Sequence, residues 1–406
     1  MGETGDEAVV LAKQRVCERV DELAEVLLDA SHRIHARPEL GFAEHHAHDL
    51  LTGILADQGI DVVRSAYGLE TAFEGSAGES GPVLAVLCEY DALPGIGHAC
   101  GHNVIATAGL GAGMAAAAVA EEMGGRIRIL GTPAEEGGGG KVIMIDRGAF
   151  DDVDAALMVH PADADLPTIT SLAVRQLQVV YRGRASHAAA APEKGRNALD
   201  AAVLGYVNVA ALRQHIAPDE RIHGIFTDAG LKANVVPERA EARWYVRSPT
   251  RARLDELAPR LFACLEAGAT AAGCEMTHEW IQPSYDEVRD NAALLDSYTA
   301  NATRLGRPVQ TGDDHQVVGS TDLGNVSHAV PAIHPLIKVA PAGTAIHTAD
   351  FAGFAVGPEA DKAVLDGAKA MAMTVVDCWA GSGVLDDARA QFEASVDVRA
   401  DPTPAT

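Results

Sequence analysis

The sequence contains no uninterrupted apolar run of about 18 residues, the length a membrane-spanning helix needs, so no membrane partner is expected. Positive charge is scarce: 32 Lys and Arg stand against 57 Asp and Glu, a formal net charge of −25. That balance argues against nucleic acid and anionic membrane surfaces as partners. It leaves an anionic small substrate open, because one well-placed Arg outweighs a distant field. The N-terminus, Met1-Gly-Glu-Thr-Gly-Asp-Glu7, is acidic and lacks the apolar core of a signal peptide. The six cysteines, at 17, 88, 100, 264, 274 and 378, form no Cys-x-x-Cys pair. In a chain of 406 residues that reads as free thiols in a reducing cytoplasm. No phosphate-binding Gly-x-x-x-x-Gly-Lys-Ser/Thr occurs, since Lys141 is followed by Val142. No internal repeat is present. Hydrophobic content of 48% and charged content of 22% suit a soluble globular chain with room for two domains.

What is there is organised around Cys88-Glu-Tyr-Asp-Ala-Leu-Pro-Gly-Ile-Gly-His-Ala-Cys-Gly-His-Asn103. The apolar run Pro82-Val-Leu-Ala-Val-Leu-Cys88 leads into it and reads as a buried strand. Charge appears where the run stops, at Glu89 and Asp91, and Pro94, Gly95 and Gly97 then break the chain into a loop. Cys100 and His102 can together grip a soft-to-borderline metal. In isolation such a pair reads more readily as a buried cysteine beside a turn histidine. Two further strand ends reverse that preference. Arg126-Ile-Arg-Ile-Leu-Gly131 runs into Glu135-Glu136 and four glycines, and Asp154-Ala-Ala-Leu-Met-Val-His160 ends in His160. The carboxyl ends of strands are where open α/β sheets place their chemistry.

Along the rest of the chain, residues 8–32 read as an amphipathic helix. Glu44-His-His-Ala-His48 reads as the solvated face of a helix continuing to Gln58. A small-residue helix is expected over 104–122. From about Ser171 the pattern changes: strand 174–181, a loop with Ser186-His187, helix 196–215, strands 222–227 and 240–246, helix 251–272 and strand 274–280. This β-α-β-β-α-β order is the ferredoxin-like signature. Longer α/β elements then return: helix 292–305, strand 333–339 and a last helix near 360–378. The tail Arg399–Thr406 reads as disordered. The expected organisation is therefore an α/β catalytic domain over 1–172 and 285–406, with a small α+β domain inserted over 173–284.

At this point the chain resembles the aminoacylase/carboxypeptidase G family of dinuclear metallopeptidases. It is most similar to the amidohydrolase branch of hippuricases, auxin-conjugate hydrolases and aminobenzoyl-glutamate hydrolases, and there to β-alanyl-lysine dipeptidase-like proteins. The matching stretches include His35-x-x-Pro-Glu-Leu-Gly-Phe42, Glu89-Tyr-Asp-Ala-Leu-Pro94, His98-Ala-Cys-Gly-His-Asn103, Pro133-Ala-Glu-Glu-Gly137 and Met158-Val-His160. They continue through Ser186-His-Ala-Ala189, Asn234-Val-Val-Pro237, Gly319-Ser-Thr-Asp322 and His347-Thr348, in order over nearly the whole chain. The resemblance implies a zinc-peptidase-like catalytic domain, with a mixed sheet flanked by helices, and an inserted ferredoxin-like dimerisation domain. It implies Cys100, His102, Glu136, His160 and His347 as ligands of two divalent ions, zinc first and manganese second, with Cys100 bridging. Glu135 would be the general base, and Asp91 would orient a ligand. In the wider family a histidine precedes that aspartate by two places; here Glu89 stands there, and His102 takes over as ligand. Asn103-Val-Ile105 departs from the commoner Cys-Gly-His-Asp-x-His and favours the dipeptidase-like sub-branch over hippurate-type specificity.

The implied reaction is hydrolysis of the amide bond of an N-acyl amino acid or dipeptide by a homodimer, with His187 donating to the oxyanion. Asn234 and Arg247 are matched to substrate binding, against the plainer readings of a turn residue before Pro237 and a surface ion pair. The competing reading is a binding or regulatory protein on the same fold, which fold alone does not exclude. Glu135 separates the two, since a binding protein has no need of a base beside Glu136.

Overall fold

The computed structural model describes residues 3–310 and 318–397, so the tail Arg399–Thr406 lies outside the described residues. The chain divides into two compact units, Met1–Thr170 with Val288–Thr406, and Ser171–Glu287.

The first unit is built on a six-stranded mixed sheet in the order Asp61–Arg64, Phe73–Ala77, Arg126–Gly131, Val83–Cys88, Ala155–Leu157, Ala332–Ile333. The last four run parallel, the first two pair antiparallel with each other, and Phe73–Ala77 pairs antiparallel with Arg126–Gly131. Val83–Cys88 is apolar throughout because both of its faces are buried. Leu84, Val86 and Cys88 face a core shared with the helices Glu3–Glu22, His102–Ala117 and Pro358–Trp379. Val83, Ala85 and Leu87 face a second core with Met144, Phe150 and Leu323. The fold class is thus α/β, a mixed sheet flanked by helices. No helix among the described residues is long and apolar enough to cross a membrane.

The second unit runs strand Ala173–Arg182, helix Ala198–Leu212, strands Arg221–Asp228 and Arg239–Ser248, helix Arg251–Ala272, strand Glu275–Tyr285. Its antiparallel sheet has the order Glu275–Tyr285, Ala173–Arg182, Arg239–Ser248, Arg221–Asp228. Alternate residues such as Leu177, Val179, Tyr181, Trp244 and Val246 meet Leu257, Leu261 and Leu265 in one core.

Several expectations need correction. The first helix breaks at Leu23, where ψ is −2°, and a second helix, Ala24–Ala36, stops just short of Pro38. The histidine-dense segment is only partly a solvated face: His45 is exposed, but Glu44 and His48 are buried. The third and fourth parallel strands are each cut in two. His160–Ala162 and Leu336–Lys338 leave the large sheet and pair with each other, and Pro335, which has no N–H to donate, marks the break in the second. The strands Asp61–Arg64 and Phe73–Ala77 are additional, and Val384–Asp397, not 360–378, is the last described helix.

Candidate metal centre

The four parallel strands end on one side of the sheet, and each end delivers a polar side chain. Glu89 and Asp91 follow Cys88, Glu135 and Glu136 follow Gly131, His160 follows Leu157, and His334 follows Ile333. Cys100 and His102 arrive through the loop after the first of these ends. Gly101, at φ +77°, turns the chain between them, and a Cβ there would lie 2.5 Å from the Pro161 ring. His102 opens the helix His102–Ala117 and is fully buried.

Asp91 is the hinge of the arrangement. Its Oδ1 lies 3.1 Å from His102 Nδ1, and its Oδ2 accepts the backbone N–H of Glu136 at 2.9 Å. One buried carboxylate thus orients His102 and fixes the glutamate loop. Burial pushes Asp91 up, but His102, the Glu136 N–H and Lys141 outweigh it and hold it below the usual carboxylate range. His160 Nδ1 donates to Pro161 O at 2.8 Å, which turns the Nε2 lone pair toward Cys100 Sγ, 3.3 Å away. Burial pushes His160 down to about 4, so it is neutral, as a ligand must be. On the open side, His347 Nε2 lies 3.3 Å from Glu136 Oε1.

Three sets of ligand atoms each lie within 4.8 Å of one another: Cys100, His102 and His160; Cys100, Glu136 and His347; His102, Glu135 and Glu136. Cys100 is common to the first two. Thiolate, imidazole and carboxylate together suit a divalent transition metal. Two further observations agree. His102 Nε2, fully buried, has no hydrogen-bond partner. Glu89, Asp91, Glu135, Glu136 and Asp322 also bring more negative charge than Lys141 balances. Burial, Glu89 and Glu136 push Glu135 well above the ordinary carboxyl range, and burial pushes the Cys100 thiol up. A bound cation is what would relieve both. Burial opposes charge on His102, but Cys100 and Asp91 push it well above its ordinary value. A positive charge, proton or metal ion, is therefore favoured at Nε2.

The backbone is strained where the site is built. Ala134 and His347 have φ of 58° and 62°, left-handed values that non-glycine residues rarely adopt. The Ala134 N–H donates to the buried Glu44 carboxyl at 2.8 Å, and the His347 N–H to Ala99 O at 2.8 Å. Gly140 lets the glutamate loop close, since a Cβ there would sit 1.8 Å from Pro133 O.

His187, Asn234 and Arg247 belong to the second unit. His187 is exposed, and its Nδ1 accepts from the N–H groups of Ala189 and Ala190 at 3.3 and 3.1 Å. Its proton is thereby placed on Nε2, a solvent-facing donor. Asn234 sits on the adjoining segment, its carbonyl accepting the Ala188 N–H at 3.0 Å. Arg247 is half-buried with its guanidinium 5.8 Å from the Tyr245 ring centre, and burial lowers its pKa.

Sequence reasoning overlooks four residues here. Lys141 figures there only in excluding a phosphate loop, Glu89 only as a missing ligand, and Asp322 only as part of a matching stretch. His334 falls inside an expected strand. It is buried, with its ring 5.2 Å from that of His160, and a histidine at a strand end is the signal that could have found it.

A model of the peptidase family M20/M25/M40 matches residues 85–375. The chain is 39% identical over 401 residues to the Xaa-Arg dipeptidase of Mus musculus, covering 94% of this chain and 92% of that one. It is 29% identical to one of the p-aminobenzoyl-glutamate hydrolase subunits of Escherichia coli (strain K12), covering 91% and 92%. Among solved structures, the aminobenzoyl-glutamate utilization protein of Klebsiella pneumoniae superposes with a TM-score of 0.72 at 21% identity, covering 89% of this chain and 98% of that one. A dinuclear metal-binding peptidase of Bacillus subtilis does so at 0.68 and 20%, covering 88% and 99%. These two share the fold. The agreement of family model, relatives and strand-end chemistry makes this chain a member of the peptidase family M20/M25/M40, a hydrolase of amide bonds.

Proposed function

We propose that the protein is a two-metal dipeptidase or N-acyl amino acid amidohydrolase, with Cys100, His102, Glu136, His160 and His347 as ligands and Cys100 shared between the ions. The single observation that carries this is the three overlapping ligand sets joined through Cys100 and His102. The donor set favours zinc, with manganese as the alternative. When bound, divalent ions polarise the scissile carbonyl and acidify water. Glu135 takes a proton from the attacking water and delivers it to the leaving amine as the C–N bond breaks. Asp91 keeps His102 in one orientation throughout. The Nε2–H of His187 supplies the donor for the oxyanion, and Arg247 and Asn234 bind the substrate's carboxylate end.

The second unit is assigned as a dimerisation domain. Its edge strand Arg221–Asp228 exposes Ile225, 65% accessible, and Phe226, and the helix Ala198–Leu212 exposes Val203 and Val207. Six free cysteines fit a cytoplasmic location. The relative with Xaa-Arg specificity makes dipeptides ending in a basic residue the first substrates to try.

Metal analysis with a turnover panel of Xaa-Arg and other dipeptides and N-acyl amino acids tests the reading. Two ions per chain and hydrolysis of at least one panel member are expected. A metal content near zero after supplementation with zinc or manganese would sink it. Cys100→Ser should lower occupancy and Cys17→Ser should leave it unchanged. If His187 acts in the partner's site, mixing inactive Glu135→Ala and His187→Ala dimers should restore roughly a quarter of wild-type activity. Background activity in proven mixed dimers would remove His187 from that role.

A further inference from the structure

Lys141 opens the helix Gly140–Asp146 and is fully buried. Its Nζ lies 2.5 Å from Glu89 Oε1 and 2.7 Å from Asp322 Oδ1, and its backbone N–H donates to Asp322 Oδ2 at 3.0 Å. A buried ammonium needs such partners. Here one cation meets two acids, which leaves a negative charge in excess. Burial, reinforced by Glu89, accordingly pushes Asp322 up to about 6 although Lys141 opposes it.

The excess has a direction. Glu89 Oε2, the oxygen Lys141 does not take, has no hydrogen-bond partner and lies 3.6 Å from His102 Nε2, which also has none. Asp91 accepts at Nδ1, so in the neutral ring Nε2 presents a lone pair. Two buried acceptors facing each other repel unless a positive charge, a proton or a metal ion, stands between them, and only the metal ion would use both as ligands. Donors bound to one ion at about 2.0–2.2 Å stand roughly 3–4 Å apart, and the observed gap falls in that range. Glu135 Oε2, 3.9 Å from the same nitrogen, approaches the same position.

We propose that Glu89 is part of the metal centre, a carboxylate facing the ion held by His102, and that Lys141, clamped by Asp322, is the positioning residue that keeps it there. The inference rests on the metal-dependent reading above. Lys141 occupies Oε1 and leaves Oε2 to the ion. Through Asp322 it also ties the glycine-rich loop behind Glu135 to the segment Gly319–Asp322.

The test is a titration of chelator-stripped protein with Co²⁺, read by calorimetry for affinity and by visible absorption for coordination. Wild type should take up two ions. E89Q, which leaves a neutral Lys141–Asp322 pair, should bind one of them about 10-fold or more weakly and the other as before. E89D keeps the charge but withdraws the oxygen by one methylene, so it should shift the absorption of one ion while both still bind. K141M should disturb the same ion as E89D. Wild-type affinity and spectrum in both Glu89 variants would overturn the proposal. So would a loss of thermal stability in E89Q with metal affinity untouched. If wild type itself takes up no Co²⁺, the metal-dependent reading falls and this inference falls with it. That outcome is distinct, because the parent and not the variants then fails.

Discussion

The two sides of the metal centre are built differently. His102 has none of its side chain exposed, with Asp91 on one ring nitrogen and Glu89 near the other, while His347 has 48% of its side chain exposed and lies beside Glu136 and Cys100. The buried side is held by hydrogen bonds whose geometry is set before any ligand arrives. The open side is held by a strained backbone position. Preorganisation thus lies on the buried side of the proposed metal site, and access lies on the open side. Each side should respond differently to the loss of one residue, and four measurements test this, from the largest expected effect to the smallest.

Glu135→Gln should lower turnover by about 10²–10⁴ while both ions stay bound, since the amide keeps the shape but accepts no proton. Kinetics and metal analysis of the same preparation check it. If Glu135→Gln loses metal and Glu136→Gln does not, the two acids have exchanged roles.

His102→Ala and His347→Ala set the buried side directly against the open one. In chelator, the first should cost about 3–5 kcal/mol of unfolding free energy, because Asp91 loses its buried partner. The second should stay within about 0.5 kcal/mol, as exposed positions do. Denaturant titrations in which the two variants lose equal stability would dissolve the distinction.

Asp91→Asn should weaken metal binding by about 10–100-fold with the ligands themselves intact. Wild-type affinity in that variant would mean that His102 needs no orienting carboxylate.

Glu44 gives the smallest effect and sharpens the view of the support beneath the loop. Burial pushes its carboxyl up to about 7, against hydrogen bonds from Thr71 and Ala134. The folded state therefore holds this proton more tightly than the unfolded chain. Its contribution is greatest below the ordinary carboxyl pKa and is lost as pH rises toward 7. Glu44→Gln can accept the Ala134 N–H at its oxygen and donate from its NH2 to the Thr71 hydroxyl, and should flatten the stability profile between about pH 4.5 and 7. An unchanged slope would show that the group ionises freely.

Most of the proposed ligand residues are legible in the sequence because they follow the ends of apolar runs. Cys100, His102, Glu135, Glu136 and His160 all follow strand ends that hydrophobic pattern marks directly. The inserted unit is legible from the change to alternating strands. Glu44 is misjudged because a helical histidine cluster looks solvated until Thr71 and Ala134 are folded against it. His334 is hidden by Pro335, which splits what reads as one strand.

By itself the sequence determined the α/β class, the strand ends and the kinds of side chain they carry, because periodicity and turn residues act over a few neighbours. Only the tertiary structure decided how their charges are balanced. Lys141 and Asp322 lie 181 residues apart, and Asp91 joins His102 to a loop 45 residues further on. A carboxylate's partner, and so its ionisation and aim, depends on which strands lie side by side in the sheet. Local pattern does not encode that order. It is set by the packing of both sheet faces, which brings these distant groups into one buried, low-dielectric space.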